Sequence, residues 1–154
     1  GKCFVLYLPV KKHKEFDSVI VKNNLKNMEQ KLLIVDDEAH IRMLLEQTLE
    51  ELEEEGVRFF SAENGEEALE IIQAETPQLV FLDVMMPKMN GMEVCRRVKK
   101  ELALDKVFIV LLTAKGQELD RQKGQEVGAD LYMTKPFDPE MILKKAREVL
   151  GLNA

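Results

Sequence analysis

Leu79-Val80-Phe81-Leu82-Asp83 is four apolar residues closed by a carboxylate, and the turn Val84-Met85-Met86-Pro87-Lys88-Met89-Asn90-Gly91 follows it. A continuous apolar run of this length, bounded by turn residues, suits a strand covered on both faces. Lys31-Leu32-Leu33-Ile34-Val35 has the same form and ends in Asp36-Asp37. In an open α/β sheet the carboxyl ends of the strands form the rim where ligands bind. Two strands delivering Asp36, Asp37 and Asp83 to one rim make a compact, mutually repulsive acidic pocket. Such a pocket is tolerated when a divalent cation neutralises it.

Outward from these two runs, short strands alternate with amphipathic helices. After the strand at 31–35, residues 38–54 place Ile41, Leu44, Leu45, Thr48, Leu49 and Leu52 at helical spacing, and Gly56 ends the helix. A strand is expected at 57–61 and a short helix at 65–74, with Ala68, Leu69, Ile71 and Ile72 inward. Pro77 punctuates before the strand at 79–82. A helix at 91–102 carries Met92, Val94, Cys95 and Val98, and residues 107–112 form an apolar strand. The helix at 117–127 is weakly apolar and is expected to be the loosest. Gly128-Ala129 then turns into a strand at 130–133, and Pro139 opens a last helix that reaches Leu150 before Gly151. Five strands alternating with five helices predict an α/β fold: a doubly wound parallel sheet with helices on both faces.

The 154 residues suit one domain with an extension. Residues 1–27 fall outside the alternation, whereas a domain at 28–154 begins just ahead of the first strand. The extension reads as an added upstream segment, natural or introduced in cloning. Within it, residues 4–8 suit an added strand and 16–25 a short helix. It holds six Lys against Glu15 and Asp17, so the remainder carries the acid, with 16 Lys+Arg against 26 Asp+Glu. That balance lacks the basic footprint phosphates need, and no direct nucleic-acid contact is expected. Cys3 and Cys95 are the only cysteines and have no metal-ligand spacing. They read as reduced thiols of a cytoplasmic protein. No apolar run approaches the roughly 20 residues that span a bilayer, and no signal peptide or membrane contact is expected.

Every strand rim except the second offers a polar group: Asp36 and Asp37, Asp83, Thr113, and Lys135 in Met133-Thr134-Lys135-Pro136-Phe137. Magnesium takes oxygen ligands and keeps waters, so carboxylates and a backbone carbonyl could hold it beside a phosphoryl oxygen. A carboxylate can act as nucleophile on phosphorus and give an acyl phosphate. An ammonium and the cation would neutralise the phosphoryl oxygens during transfer.

Asp36-Asp37-Glu38, the run from Asp83 to Gly91, Thr113-Ala114 and Lys135-Pro136-Phe137 together resemble the receiver domain of two-component response regulators. The resemblance covers residues 31 to about 150, and its four separated motifs keep the family's order. It implies a flavodoxin-like three-layer sandwich with strand order 2-1-3-4-5. It implies that Asp83 is the phosphoacceptor and also a Mg²⁺ ligand, that Asp37 is the main direct ligand of the acidic pair with Asp36 acting largely through water, and that the Met85 carbonyl completes the protein ligands. Thr113 is similar to the family's switch hydroxyl and Lys135 to its pairing ammonium. The peptide bond before Pro136 is often cis in the family. Tyr132 matches the aromatic switch position, while its place on a strand suits ordinary edge packing equally well. The methionines at 85, 86, 89 and 92 read as loop and core packing, His13 and His40 as surface groups, and Glu38 as a charge favoured at a helix start.

The implied function is phosphoryl transfer from a histidine kinase or phosphotransfer protein to Asp83 with Mg²⁺. This transfer would shift the face made by the fourth helix, fifth strand and fifth helix for a downstream protein. Such a domain catalyses only its own phosphorylation and dephosphorylation. An aspartyl-phosphate phosphatase or phosphotransferase needs a second acid two residues past its nucleophile, and Met85 stands there. A nucleotide or flavin module wants a Gly- or hydroxyl-rich loop after the first strand, where Asp36-Asp37-Glu38 would repel phosphate. The chain reads either as a stand-alone receiver or as part of a longer regulator. A homodimer through the same face would use Lys115, Glu118, Asp120, Arg121 and Lys123, which equally suit a solvated helix face.

Overall fold

In the computed structural model, residues 29–114 and 118–152 are described. Expectations that fall on residues 1–28, including the added strand, the short helix and Cys3, lie outside them, as do Lys115 and the side chains of 118–121. The strands are β1 (Lys31–Val35), β2 (Arg58–Ala62), β3 (Leu79–Asp83), β4 (Phe108–Ala114) and β5 (Leu131–Lys135). The helices are α1 (Ala39–Thr48), α2 (Glu50–Glu54), α3 (Gly65–Glu75), α4 (Gly91–Arg96), α5 (Glu118–Glu126) and α6 (Pro139–Leu150). All strand pairs are parallel and the order is β2-β1-β3-β4-β5. This is the doubly wound five-stranded sheet expected from the sequence.

Alternate residues of each strand face opposite sides of the sheet, and the core divides accordingly. Leu33, Val35, Val80, Leu82, Ile109 and Leu111 pack with Ala68, Ile72, Val94 and Val98 under α3 and α4. Leu32, Ile34, Leu79, Phe81, Val110 and Leu112 pack with Leu45, Leu52, Ile142 and Ala146 under α1, α2 and α6. Every residue of β3 is buried, which is why its sequence shows no polar alternation before Asp83.

Several boundaries differ from the sequence reading, each for a local reason. The single helix expected at 38–54 is broken at Leu49, so six α-helices stand among the described residues where five were expected. Leu44, expected inward, is 44% exposed beside Met43. The helix expected at 91–102 is α-helical to Arg96 and then widens into one π turn over Arg97–Glu101, where the Leu102 N–H donates to the Arg97 carbonyl. Strand β5 starts one residue later than expected and runs two further, because Thr134 and Lys135 keep pairing with Thr113 and Ala114. Asp130 instead turns its carboxylate to the Ile109 N–H and to the Lys99 ammonium, at 2.9 and 2.8 Å. Cys95 is a buried free thiol whose pKa burial pushes up to about 12. No helix among the described residues is long and apolar enough to cross a membrane.

Helix α6 begins where its sequence dictates. Asp138 caps it by accepting from the Glu140 N–H at 3.0 Å, and Pro139 occupies the first turn. The Lys135–Pro136 peptide, which leads into that cap, is cis.

Candidate functional site

Parallel pairing brings the ends of β1, β3, β4 and β5 to one edge, and the expected residues lie along it. Asp83 is the last residue of β3, Thr113 the penultimate of β4 and Lys135 the last of β5. They belong to the strands rather than following them, because the ladders extend to the rim. Asp36 and Thr113 are buried, and Asp83 is 5% exposed.

Lys135 gathers the edge. Its Nζ donates to Asp36 Oδ2 at 2.7 Å and to Asp83 Oδ1 at 3.1 Å. The two carboxylates are therefore no farther apart than those bonds laid end to end. Burial and the Asp36 charge push the Asp83 carboxyl up to about 6 against the pull of Lys135. Burial opposes the charge on Lys135, but its bonds to Asp36 and Asp83 and their charges outweigh it, and its pKa is raised.

Asp36 and Asp37, adjacent in sequence, are in different situations. Every polar atom of Asp36 has a protein partner. Its N–H donates to the Ala62 carbonyl at 3.2 Å. Its Oδ1 accepts from the Glu38 N–H at 2.9 Å, and its carbonyl accepts from Arg42 Nη1 at 2.6 Å. Its Oδ2 is the Lys135 partner. Asp37 is exposed. Carboxylate oxygens of Asp36, Asp37 and Glu38 all lie within 4.8 Å of one another. An all-oxygen, net-anionic set of this kind fits a hard divalent cation such as Mg²⁺, and Asp37 and Glu38 are its members open to solvent. Glu38 extends the cluster beyond the pair expected, although its carboxylate also lies 3.5 Å from the His40 imidazole.

The loop after Asp83 is fixed by close backbone approach. A Cβ on Gly91 would stand 2.2 Å from the Asp83 carbonyl oxygen, and one on Gly65 would stand 2.2 Å from the Met89 carbonyl oxygen. The Gly91 N–H donates to the Val84 carbonyl at 2.9 Å, closing the loop on itself. Met85 lies in this loop with its side chain 62% exposed. Tyr132 is half-buried, in register with Leu111, and packs beneath α5 where Gly124 leaves room for its ring.

Sequence reasoning missed Arg42 and Gly65. Arg42 reads as one more charge on a helix, and nothing in its spacing tells that it folds back onto Asp36. Gly65 carries a weak signal as the opening residue of a helix.

A family model described as the response regulator receiver domain matches residues 32–147. The probable transcriptional regulator ycf27 of Porphyra purpurea is 47% identical over 126 residues, which span 82% of this chain and 49% of that protein. The alkaline phosphatase synthesis transcriptional regulatory protein PhoP of Bacillus subtilis (strain 168) is 42% identical over 123 residues, spanning 80% of this chain and 49% of PhoP. The chain thus spans about half the length of these curated relatives. Among solved structures, a putative response regulator from Chloroflexus aurantiacus superposes with a TM-score of 0.71 at 32% identity, covering 80% of this chain and 99% of that one.

Proposed function

The chain belongs to the receiver-domain family of response regulators, which act in two-component signalling, and on that premise we propose that Asp83 accepts a phosphoryl group from the phosphohistidine of a histidine kinase or phosphotransfer protein. We assign the receiver domain to residues 28–154 and an extension to 1–27. The observation that carries the reading is the Lys135 ammonium held between the Asp36 and Asp83 carboxylates. A half-buried cation between two acids at a strand rim is placed to meet the oxygens of an incoming phosphoryl group.

In the step itself, one Asp83 oxygen forms a bond to phosphorus as the bond from phosphorus to the donor's imidazole nitrogen breaks. The electron pair of that bond stays on the imidazole. Asp83 attacks as the carboxylate, the form that a cation bound beside it would favour. Lys135 turns from Asp83 Oδ1 toward the new phosphoryl oxygens while its bond to Asp36 keeps it on the rim. Thr113, buried one residue before the end of β4, offers a hydroxyl to one of those oxygens. Asp37, Asp83 and the Met85 carbonyl, with Asp36 largely through water, would hold Mg²⁺, which when bound would neutralise charge on the phosphoryl oxygens during transfer. The shift of Thr113 is passed to Tyr132 and so to the face of α5, β5 and α6, where a downstream protein reads it. The relatives are named as transcriptional regulators, and the matched stretch is about half of each. The output of this domain accordingly passes through protein contacts rather than through its own acidic surface.

The test is Mg²⁺-dependent binding of beryllofluoride, which stands in for the phosphoryl group, to the parent and to Asp83→Asn. Binding that requires Mg²⁺ and is lost in the variant is expected. Retained binding in Asp83→Asn overturns the acceptor assignment.

A further inference from the structure

We infer that Arg42 is a positioning residue for the metal-binding loop. It acts by clamping the carbonyl of the peptide that joins Asp36 to Asp37. The inference rests on the Mg²⁺ site proposed above, and part of its test does not.

Arg42 lies on α1, and side chains of a helix lean back toward its N-terminus. Its guanidinium therefore reaches the strand end that precedes the helix, and Nη1 donates to the Asp36 carbonyl at 2.6 Å. Nη2 lies 3.9 Å from Glu63 Oε2, in the turn that follows β2. The Arg42 side chain is only 19% exposed, so this is not a solvated charge swinging freely. The other side of the Asp36 backbone is held by the same neighbour: its N–H donates to the Ala62 carbonyl, one residue before Glu63.

A carbonyl fixed in direction fixes the plane of its peptide, and the next Cα leaves from that plane. The next Cα is that of Asp37, the exposed carboxylate. The N-cap residue of α1, Glu38, makes no side-chain capping bond, so the loop is held at the helix start by the Glu38 N–H on Asp36 Oδ1 and by Arg42 on the Asp36 carbonyl. Arg42 thus fixes the loop's carbonyl from one turn inside the helix, while the Asp36 carboxylate takes the Glu38 N–H.

The alternative is that Arg42 acts only as a charge near an acidic pocket. The two readings give opposite signs. Removing a cation beside the site should tighten Mg²⁺ by electrostatics alone. Removing the clamp should weaken it, because the loop must then be ordered on binding. Groups that orient metal ligands from behind typically contribute roughly 10- to 100-fold in affinity.

The experiment is Mg²⁺ titration calorimetry on the full chain, comparing the parent with Arg42→Lys and Arg42→Ala. Amide hydrogen exchange at Glu38 is followed in parallel by NMR with chelator present. Lysine keeps the charge and one donor. The expected affinity order is parent, then Arg42→Lys, then Arg42→Ala, with the alanine variant about tenfold weaker. The Glu38 amide, which donates to Asp36 Oδ1, should exchange faster in Arg42→Ala without any metal. An alanine variant that binds Mg²⁺ as tightly as the parent or the lysine variant overturns the inference, as does unchanged protection at Glu38. A parent that binds no Mg²⁺ removes the metal reading itself, while the exchange result still reports on the clamp.

Discussion

Replacing Asp83 with asparagine should make the metal-free protein more stable. Asp83 is 5% exposed and its carboxyl is raised from 3.8 to about 6. Its pKa is thus higher folded than unfolded, so the stability it contributes is complete below about 4 and is lost as pH rises through 6. At 1.4 kcal/mol for each pH unit between the two values, ionising it in the folded state costs on the order of 3 kcal/mol at pH 7.5. Asparagine never ionises and escapes that cost. It also weakens the bond from Lys135, leaving Asp36 as the only charged partner among those seen here, which gives back part of the gain. The net expectation is about 1 to 2 kcal/mol at pH 7.5, on the order of 5 °C in Tm. The assay is thermal unfolding by circular dichroism of parent and variant with chelator present, at pH values from 4 to 7.5. Other carboxylates titrate over the same range, but they do so in both proteins and drop out of the difference. The gap should be near zero at pH 4 and open between pH 4 and 6. Added Mg²⁺ should close it again by stabilising the parent more than the variant. A variant no more stable than the parent at pH 7.5, or a gap that stays constant with pH, would refute the account of Asp83 as a strained, cation-seeking carboxylate.

Lys135→Ala leaves the buried Asp36 and Asp83 facing each other without a counter-charge, so it should lose about 3 kcal/mol in urea unfolding at pH 7.5 with chelator present. Mg²⁺ should restore much of that, and the absence of any recovery would argue against a cation site between them. Gly91→Ala drives a Cβ to 2.2 Å from the Asp83 carbonyl oxygen, a backbone atom that cannot swing aside. A loss of about 2 to 3 kcal/mol is expected, and a variant as stable as the parent would show that the loop after Asp83 yields easily. Met85 places a large apolar side chain two residues from the proposed acceptor, where it would hinder water attack on the acyl phosphate proposed there. Met85→Asn should shorten the phosphorylated lifetime by roughly tenfold, about 1.4 kcal/mol of barrier, read by loss of label from purified phosphoprotein; an unchanged lifetime would count against the shielding.

The parts of the fold that were legible in the sequence are those governed by a single local rule. Strands β1 and β3 are buried on both faces, so their apolar runs are unbroken and their terminal acids stand out. Helix α6 runs from Pro139 to Leu150 as expected because Asp138, Pro139 and Gly151 each mark an end by their own backbone chemistry. The misplaced boundaries depend on partners far away in sequence. The start of β5 is set by Asp130, whose carboxylate reaches Ile109 and Lys99. The π turn at Arg97–Glu101 and the break at Leu49 interrupt helices whose apolar spacing continues across them, and periodicity cannot register either. Leu44 fits the helical stripe yet is left 44% exposed.

The same distinction divides the site. Which residues reach the rim can be read from the sequence, because a strand end is a position along the chain. How adjacent acids share the work cannot, because that depends on what approaches from other elements. Asp36 and Asp37 are identical in type and neighbours in sequence. Asp36 is saturated by β2, α1 and β5 through Ala62, Arg42 and Lys135, together with the local Glu38 amide. Asp37 is left open. The buried acid therefore serves as the post to which the rim is tied. The exposed one is the carboxylate left open to solvent, as the proposed uptake and release of a cation at this edge would require.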